Sequence, residues 1–126
     1  MKFDEKKPPR KFEVGNTRKF WMQDCGTMHL AADEQITFKT ENGAEYDVAR
    51  KDWGFYATPS LNARLTGFGL RAVLVRNQIG RYFVFLVEQG KDAEFDDYMK
   101  IEQLELICWM DTDAALARLE TAMRKA

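Results

Sequence analysis

Histidine and cysteine are scarce in this chain, one His and two Cys in 126 residues. A structural zinc site takes about four such ligands, so no metal centre is expected. No G-x-G-x-x-G or GK[ST] pattern surrounds Gly54, Gly67 or Gly69, so no phosphate-cradling loop and no cofactor is expected. No apolar run approaches the roughly 20 residues that span a bilayer. The first fifteen residues carry charges and no apolar stretch, which argues against an export leader and for a cytoplasmic protein with reduced thiols. Charge of one sign is also lacking, with 19 basic against 20 acidic residues. Overall charge therefore favours neither nucleic acid nor an anionic membrane.

What charge there is falls in blocks. From Arg50 to Tyr82 there are six basic residues and one acid, and from Glu88 to Asp113 nine acids and two lysines. Hydrophobic residues make up 45% of the chain, enough for one domain with a real core. Residues 1–11 are polar and contain Pro8-Pro9, which resist helix and sheet alike. They read as a flexible or extended arm ahead of a single α+β domain over residues 12–126. Phe20–Met22 and Thr27–Leu30 read as short strands.

Alternation at Ile36, Phe38 and Thr40, then at Tyr46 and Val48, flanks Asn42-Gly43 and predicts a hairpin with a type I′ turn. Trp53–Ala57 reads as a strand. Thr58 then caps a helix with Pro59 at its first position and Leu61, Leu65 and Phe68 on one face. Leu70–Arg76 and Arg81–Glu88 form a second hairpin. A helix with Phe95, Tyr98 and Met99 buried follows, capped by Asp92. Leu104–Met110 is a last strand, and a C-terminal helix capped by Thr112 or Asp113 presents Leu116, Leu119 and Met123. From Trp53 to Met110 the order is β-α-β-β-α-β, which predicts a ferredoxin-like four-stranded sheet with both helices on one face. The apolar runs Ala72–Val75 and Tyr82–Val87 demand cover on the second face as well. The hairpin, the C-terminal helix, a second subunit or an apolar ligand would supply it. A homodimer joined through the central sheet or the last helix is the expectation.

Three constellations carry chemistry. Cys25 and His29, spaced i,i+4, would form a thiolate–imidazole pair only on a helix, and Gly26 and Thr27 disfavour one. Paired carboxylates such as Asp96-Asp97, or Glu102 with Glu105, read as solvated surface. The turn from Thr58 to Arg64 is the most suggestive. A helix start offers free N–H groups to an anion, with Thr58, Ser60 and Asn62 around it and Arg64 and Arg50 to add charge. Trp53, Phe55 and Tyr56 beside Arg50 and Lys51 offer aromatic contact. The sequence thus predicts a non-catalytic accessory or regulatory domain binding a partner protein or a small anionic ligand. A small enzyme using the Thr58 turn is one alternative. An RNA or single-strand-binding module is another, though the RNP signature is missing from Gly80–Phe85.

Overall fold

The computed structural model describes residues 1–125. The chain is α+β. It contains a two-stranded ribbon of β1 (Lys2–Val14) and β2 (Phe20–His29), then a meander of β3 (Gln35–Lys39), β4 (Glu45–Lys51) and β5 (Gly54–Ala57). The short helix α1 (Arg64–Gly67) leads into β6 (Leu70–Arg76) and β7 (Tyr82–Glu88). Helix α2 (Asp92–Ile101), strand β8 (Glu105–Trp109) and helix α3 (Asp113–Lys125) complete the chain. The strands form three antiparallel sheets, ordered β1-β2, β3-β4-β5 and β7-β6-β8.

This order corrects the four-stranded expectation. Strand β5 bonds to β4, with Val48 opposite Ala57, and β8 pairs with β6. The β-α-β-β-α-β succession is present along the chain, but its first strand lies in a different sheet from the other three. A single helical turn at α1 is too short to carry the chain back across a sheet, which a parallel crossover requires. The same shortness corrects the helix predicted from Thr58. The side chain of Ser60 accepts the Arg64 amide at 3.0 Å, and its carbonyl accepts Leu65 N–H at 3.0 Å. These bonds hold residues 60–63 as a turn, and Ala63, at φ −145° and ψ −81°, stands outside helical geometry.

The amino-terminal arm is extended, and it gains a partner that the sequence did not suggest. Residues 2–14 are extended and paired to β2, from Lys2 opposite His29 to Val14 opposite Phe20. Pro8-Pro9 do resist pairing. The register breaks between Glu5 and Arg10, so Lys6, Lys7, Pro8 and Pro9 bulge opposite Cys25, where two missing N–H groups cost nothing. Asn42-Gly43 does turn the next hairpin, with Ile36 opposite Val48. Gly43 alone takes a positive φ, +93°, and Gly43 N–H returns to the Thr40 carbonyl at 3.0 Å. A type I′ turn would need positive φ at Asn42 too.

The β6–β7 hairpin pairs as the sequence suggested, Leu70 opposite Glu88 through Arg76 opposite Tyr82. Its central strand has an apolar load on both faces, and both are covered. Leu70 and Ala72 pack with Ala44, Leu65, Tyr46, Leu86 and Met110 on the meander side. Val73 and Val75 pack with Met99, Phe95, Val87 and Leu104 on the α2 side. Ala44 and Tyr46 of the meander thus cover the Leu70–Ala72 end of the second face, while Tyr82 and Val84 on the same face of β7 remain exposed. Helix α3 buries nothing. The Thr112 hydroxyl accepts Ala115 N–H at 3.1 Å, Leu116 is half-buried, and Met123 is 65% exposed. Two ion pairs join the basic and acidic blocks. Arg71 of β6 reaches Asp111 at 2.6 Å, and Arg76 reaches Glu105 of β8 at 3.5 Å.

Candidate functional site: an apolar groove at the free edge of β7

Strand β7 is hydrogen-bonded on one side only, to β6. From Tyr82 to Val87 it carries no charge, no proline and no glycine, and its pairing to β6 is unbroken by any bulge. Phe85 packs edge-on against Phe95 (6.4 Å between centroids) and Tyr98 (6.2 Å) of α2, and Phe95 continues to Trp109 at 5.9 Å. Phe83 extends this aromatic row towards solvent, 6.4 Å from Phe85. The row opens at the edge. Tyr82, Phe83 and Val84 are 58%, 45% and 59% exposed. A groove follows β7 between Val84 and Glu88, walled by Lys91, Glu94, Phe95 and Tyr98 of α2 and its approach. Partial burial raises the Tyr98 phenol's pKa above its ordinary value, with Glu102 adding to the effect, so the phenol stays neutral, while Lys91 and Glu94 pair with each other at 3.3 Å.

The tip of the ribbon closes one end. Val14, Gly15, Asn16 and Phe20 face Asn77–Ile79, Phe83, Phe85 and Tyr98 across a cleft of about 550 Å³. Asn16 holds the tip there. Its backbone N–H donates to the Glu102 carboxylate at 2.7 Å, and its side-chain amide donates to Gln103 Oε1 at 3.3 Å. Gln103 sits just past α2 at φ +56°, an αL exit that an amide side chain tolerates less readily than glycine does.

The Thr58–Arg64 turn is built differently from the anion site anticipated. The Arg64 guanidinium lies 4.0 Å from the Asp47 carboxylate, 3.5 Å from the Thr58 carbonyl and 5.3 Å from the Phe68 ring. Asp47 is buried and accepts the Thr37 hydroxyl at 2.5 Å. Asn62 donates to Asp113 at 2.7 Å, and the Ser60 hydroxyl is taken by Arg64 N–H. Arg50 does not converge on this group. It stands three residues from Asp47 on β4, hence on the opposite face, with its guanidinium 6.0 Å from the Phe55 ring.

Trp53, Phe55 and Tyr56 share the tip of the β4–β5 hairpin. Trp53 stacks on Tyr56 at 6.1 Å, and Phe55 is 61% exposed. Cys25 and His29 lie on β2, four residues apart along an extended strand. That separation is about 13 Å, too far for the imidazole to take the thiol proton. His29 instead meets Asp4 at 2.8 Å.

The free edge escaped the sequence reading, although its signal was present. The charge-free run Tyr82–Val87 called for cover, and only the sheet order shows which side of it is bare. Among the described residues no helix is long and apolar enough to cross a membrane, and no group of three His, Cys, Asp or Glu is placed to hold a metal ion. No family model, curated protein or solved structure matches this chain.

Proposed function

We propose that this chain is a non-catalytic binding domain that acts by accepting a polypeptide strand along β7. The observation that carries the reading is the unprotected edge itself. An exposed, flat, apolar edge strand presents a row of unpaired N–H and C=O groups, a template for another strand. The aromatic groove beside it supplies pockets for alternate side chains of the incoming segment. The balance of surface supports the same reading. Among the described residues nine apolar side chains are buried while nineteen large ones stand exposed. The chain exposes 9,071 Å², where a compact monomer of its mass exposes about 6,900 Å². A domain so rich in uncovered apolar surface works by contact. Ser60, Asn62 and Arg64 of the Thr58 turn are already engaged within the chain, whereas the Thr58 hydroxyl and Arg50 Nη1 are buried without a partner; we put the working surface at β7 for the length and exposure of its free edge.

The test is a photo-crosslinking amino acid, Val84→p-benzoylphenylalanine, introduced in the native cell. A discrete covalent adduct to a polypeptide at position 84, and none from the same probe at the control position Leu119, supports strand addition. No polypeptide adduct at position 84, with an anionic metabolite raising the melting temperature of the wild-type chain but not of Arg64→Ala, would move the function to the Thr58 turn.

A further inference from the structure

Resting on that reading, we infer that the strand accepted by β7 is β7 of a second copy, paired antiparallel about a two-fold axis centred on Val84 to give one continuous six-stranded sheet. The inference starts from a comparison of sheet edges. β1 is blunted by Lys2, Lys6, Lys7, Lys11, two prolines and a bulge. β3 and β8 have five residues each and β5 has four. β3 ends in Lys39, and β8 begins at Glu105 and has a register shift against β6. Each is a device that keeps sheet edges from joining. β7 has seven residues, with no charge before its last, Glu88, and no register shift. The outer edge of β2 is long and has exposed Phe20, Trp21 and Met22, but it is interrupted by Asp24 and by Gly26 at φ +148°, so β7 is the edge with the longest uninterrupted uncharged run.

The strand fits itself. Opposed residues of two antiparallel strands must lie on the same face, so in a self-pairing the two opposed positions must share parity. Centring on Val84 satisfies this. It sets Phe83 of each copy against Phe85 of the other and Tyr82 against Leu86. It also matches the burial pattern, because the outward-facing surplus lies at Tyr82, Phe83 and Val84. The charges agree with the direction. Arg81 precedes the apolar run and Glu88 ends it. An antiparallel copy brings the cationic end of each strand beside the anionic end of its partner, whereas a parallel copy would bring like ends together. Both α2 helices would lie on one face of the joint sheet and extend the aromatic row of Phe85, Phe95 and Tyr98 across the axis. The apolar side chains exposed at the edge, Tyr82, Phe83 and Val84, are the ones that this pairing covers.

The experiment is light scattering of the full chain through a micromolar-to-nanomolar dilution series, for wild type, Val84→Lys and Tyr82→Lys. The expected result is a wild-type mass of twice 14.7 kDa. Val84→Lys opposes two lysines at the axis and removes the two valines that the pairing buries, so the dimer dissociation constant should rise by at least about a hundredfold. Both positions are exposed in the single chain, so an unchanged circular dichroism spectrum should accompany monomerisation. Should Val84→Lys fail to fold, Tyr82→Lys carries the same test. A wild-type mass of one chain at every concentration overturns the inference. If the position-84 probe then forms an adduct with a different polypeptide, strand addition stands and self-pairing falls. With no adduct both readings fall. A dimer that neither lysine variant weakens also overturns the inference, because it would be built elsewhere.

Discussion

The Arg71–Asp111 pair offers a test of how the domain ties its last strand to its centre. The two residues belong to segments of opposite charge, and they meet beside β8 with Nε 2.6 Å from Oδ2. The Asp111 side chain is 9% exposed and that of Arg71 31%. The guanidinium also lies 3.9 Å from the centroid of Trp109. Replacing Arg71 by alanine strands a buried carboxylate. Breaking a fully buried pair costs about 3–5 kcal/mol, and the water that reaches Arg71 reduces this to about 2–3 kcal/mol. Loss of the contact with Trp109 adds about 0.5–1 kcal/mol. The expected loss is thus about 2.5–4 kcal/mol, or a fall in Tm of roughly 8–20 °C for a domain of this length. Arg71→Lys should recover part of it, since an ammonium restores charge without the planar stack. Urea denaturation followed by tryptophan fluorescence, at one fixed protein concentration because association adds to stability, gives the values. A double-mutant cycle with Asp111→Asn should return a coupling of about 1.5–3 kcal/mol. A coupling below about 0.5 kcal/mol would refute the reasoning and class the pair with exposed ion pairs.

Other perturbations test other joints of the structure. Leu65 is fully buried between α1 and β6, so Leu65→Ala should cost about 2–5 kcal/mol in the same urea assay, and a loss under 1 kcal/mol would deny it a core role. Gly26→Ala should unseat the ribbon, because a Cβ there would meet the Phe3 ring at 2.8 Å and the Asp4 carbonyl, at a φ of +148°; amide shifts confined to residues 2–29 would show it. Asp24 should titrate below the ordinary aspartate range, since the Gly26 backbone amide, opposed by partial desolvation and aided by Lys6 and Arg10, favours its carboxylate. A folded value lower than the unfolded one means that its contribution to the ribbon is complete above the unfolded pKa and is lost as pH falls through the folded one. A carbon-detected titration of the Asp24 carboxyl would reveal an ordinary midpoint if this reasoning fails.

Much of the second half of the fold was legible because its signals are local. The pairing of Leu70–Arg76 with Tyr82–Glu88 follows from two apolar runs around Asn77–Gly80, where Asn77 Oδ1 accepts the amides of Ile79 and Arg81. Helix α2 follows from Phe95, Tyr98 and Met99 at helical spacing. What the sequence hid was partnership between distant segments. Nothing in Trp53–Ala57 says that β5 joins β4 in one sheet and leaves β8 to join β6. The amino-terminal ribbon was hidden by Pro8-Pro9, whose effect is a local bulge in a strand that pairs on both sides of it. The Thr58 turn misled for a local reason. Thr58-Pro59 is a sound helix start by composition, but Ser60 two residues on competes as a capping acceptor, and its local bonds to the Arg64 and Leu65 amides delay the helix to Arg64. The β7 groove depends wholly on sheet order, which no local pattern encodes.

The central claim, that β7 receives a second strand, is tested most directly by residue-resolved hydrogen exchange of the wild-type chain at micromolar concentration. Successive N–H groups of a strand point to alternate sides, so an edge strand protects only the alternate amides that bond to its one neighbour. If β7 is paired on both sides, the amides from Tyr82 to Val87 should all be slow, with the outward set speeding up on dilution or in Val84→Lys. Alternating fast and slow exchange along β7 in the wild type, unchanged by concentration, would contradict the account.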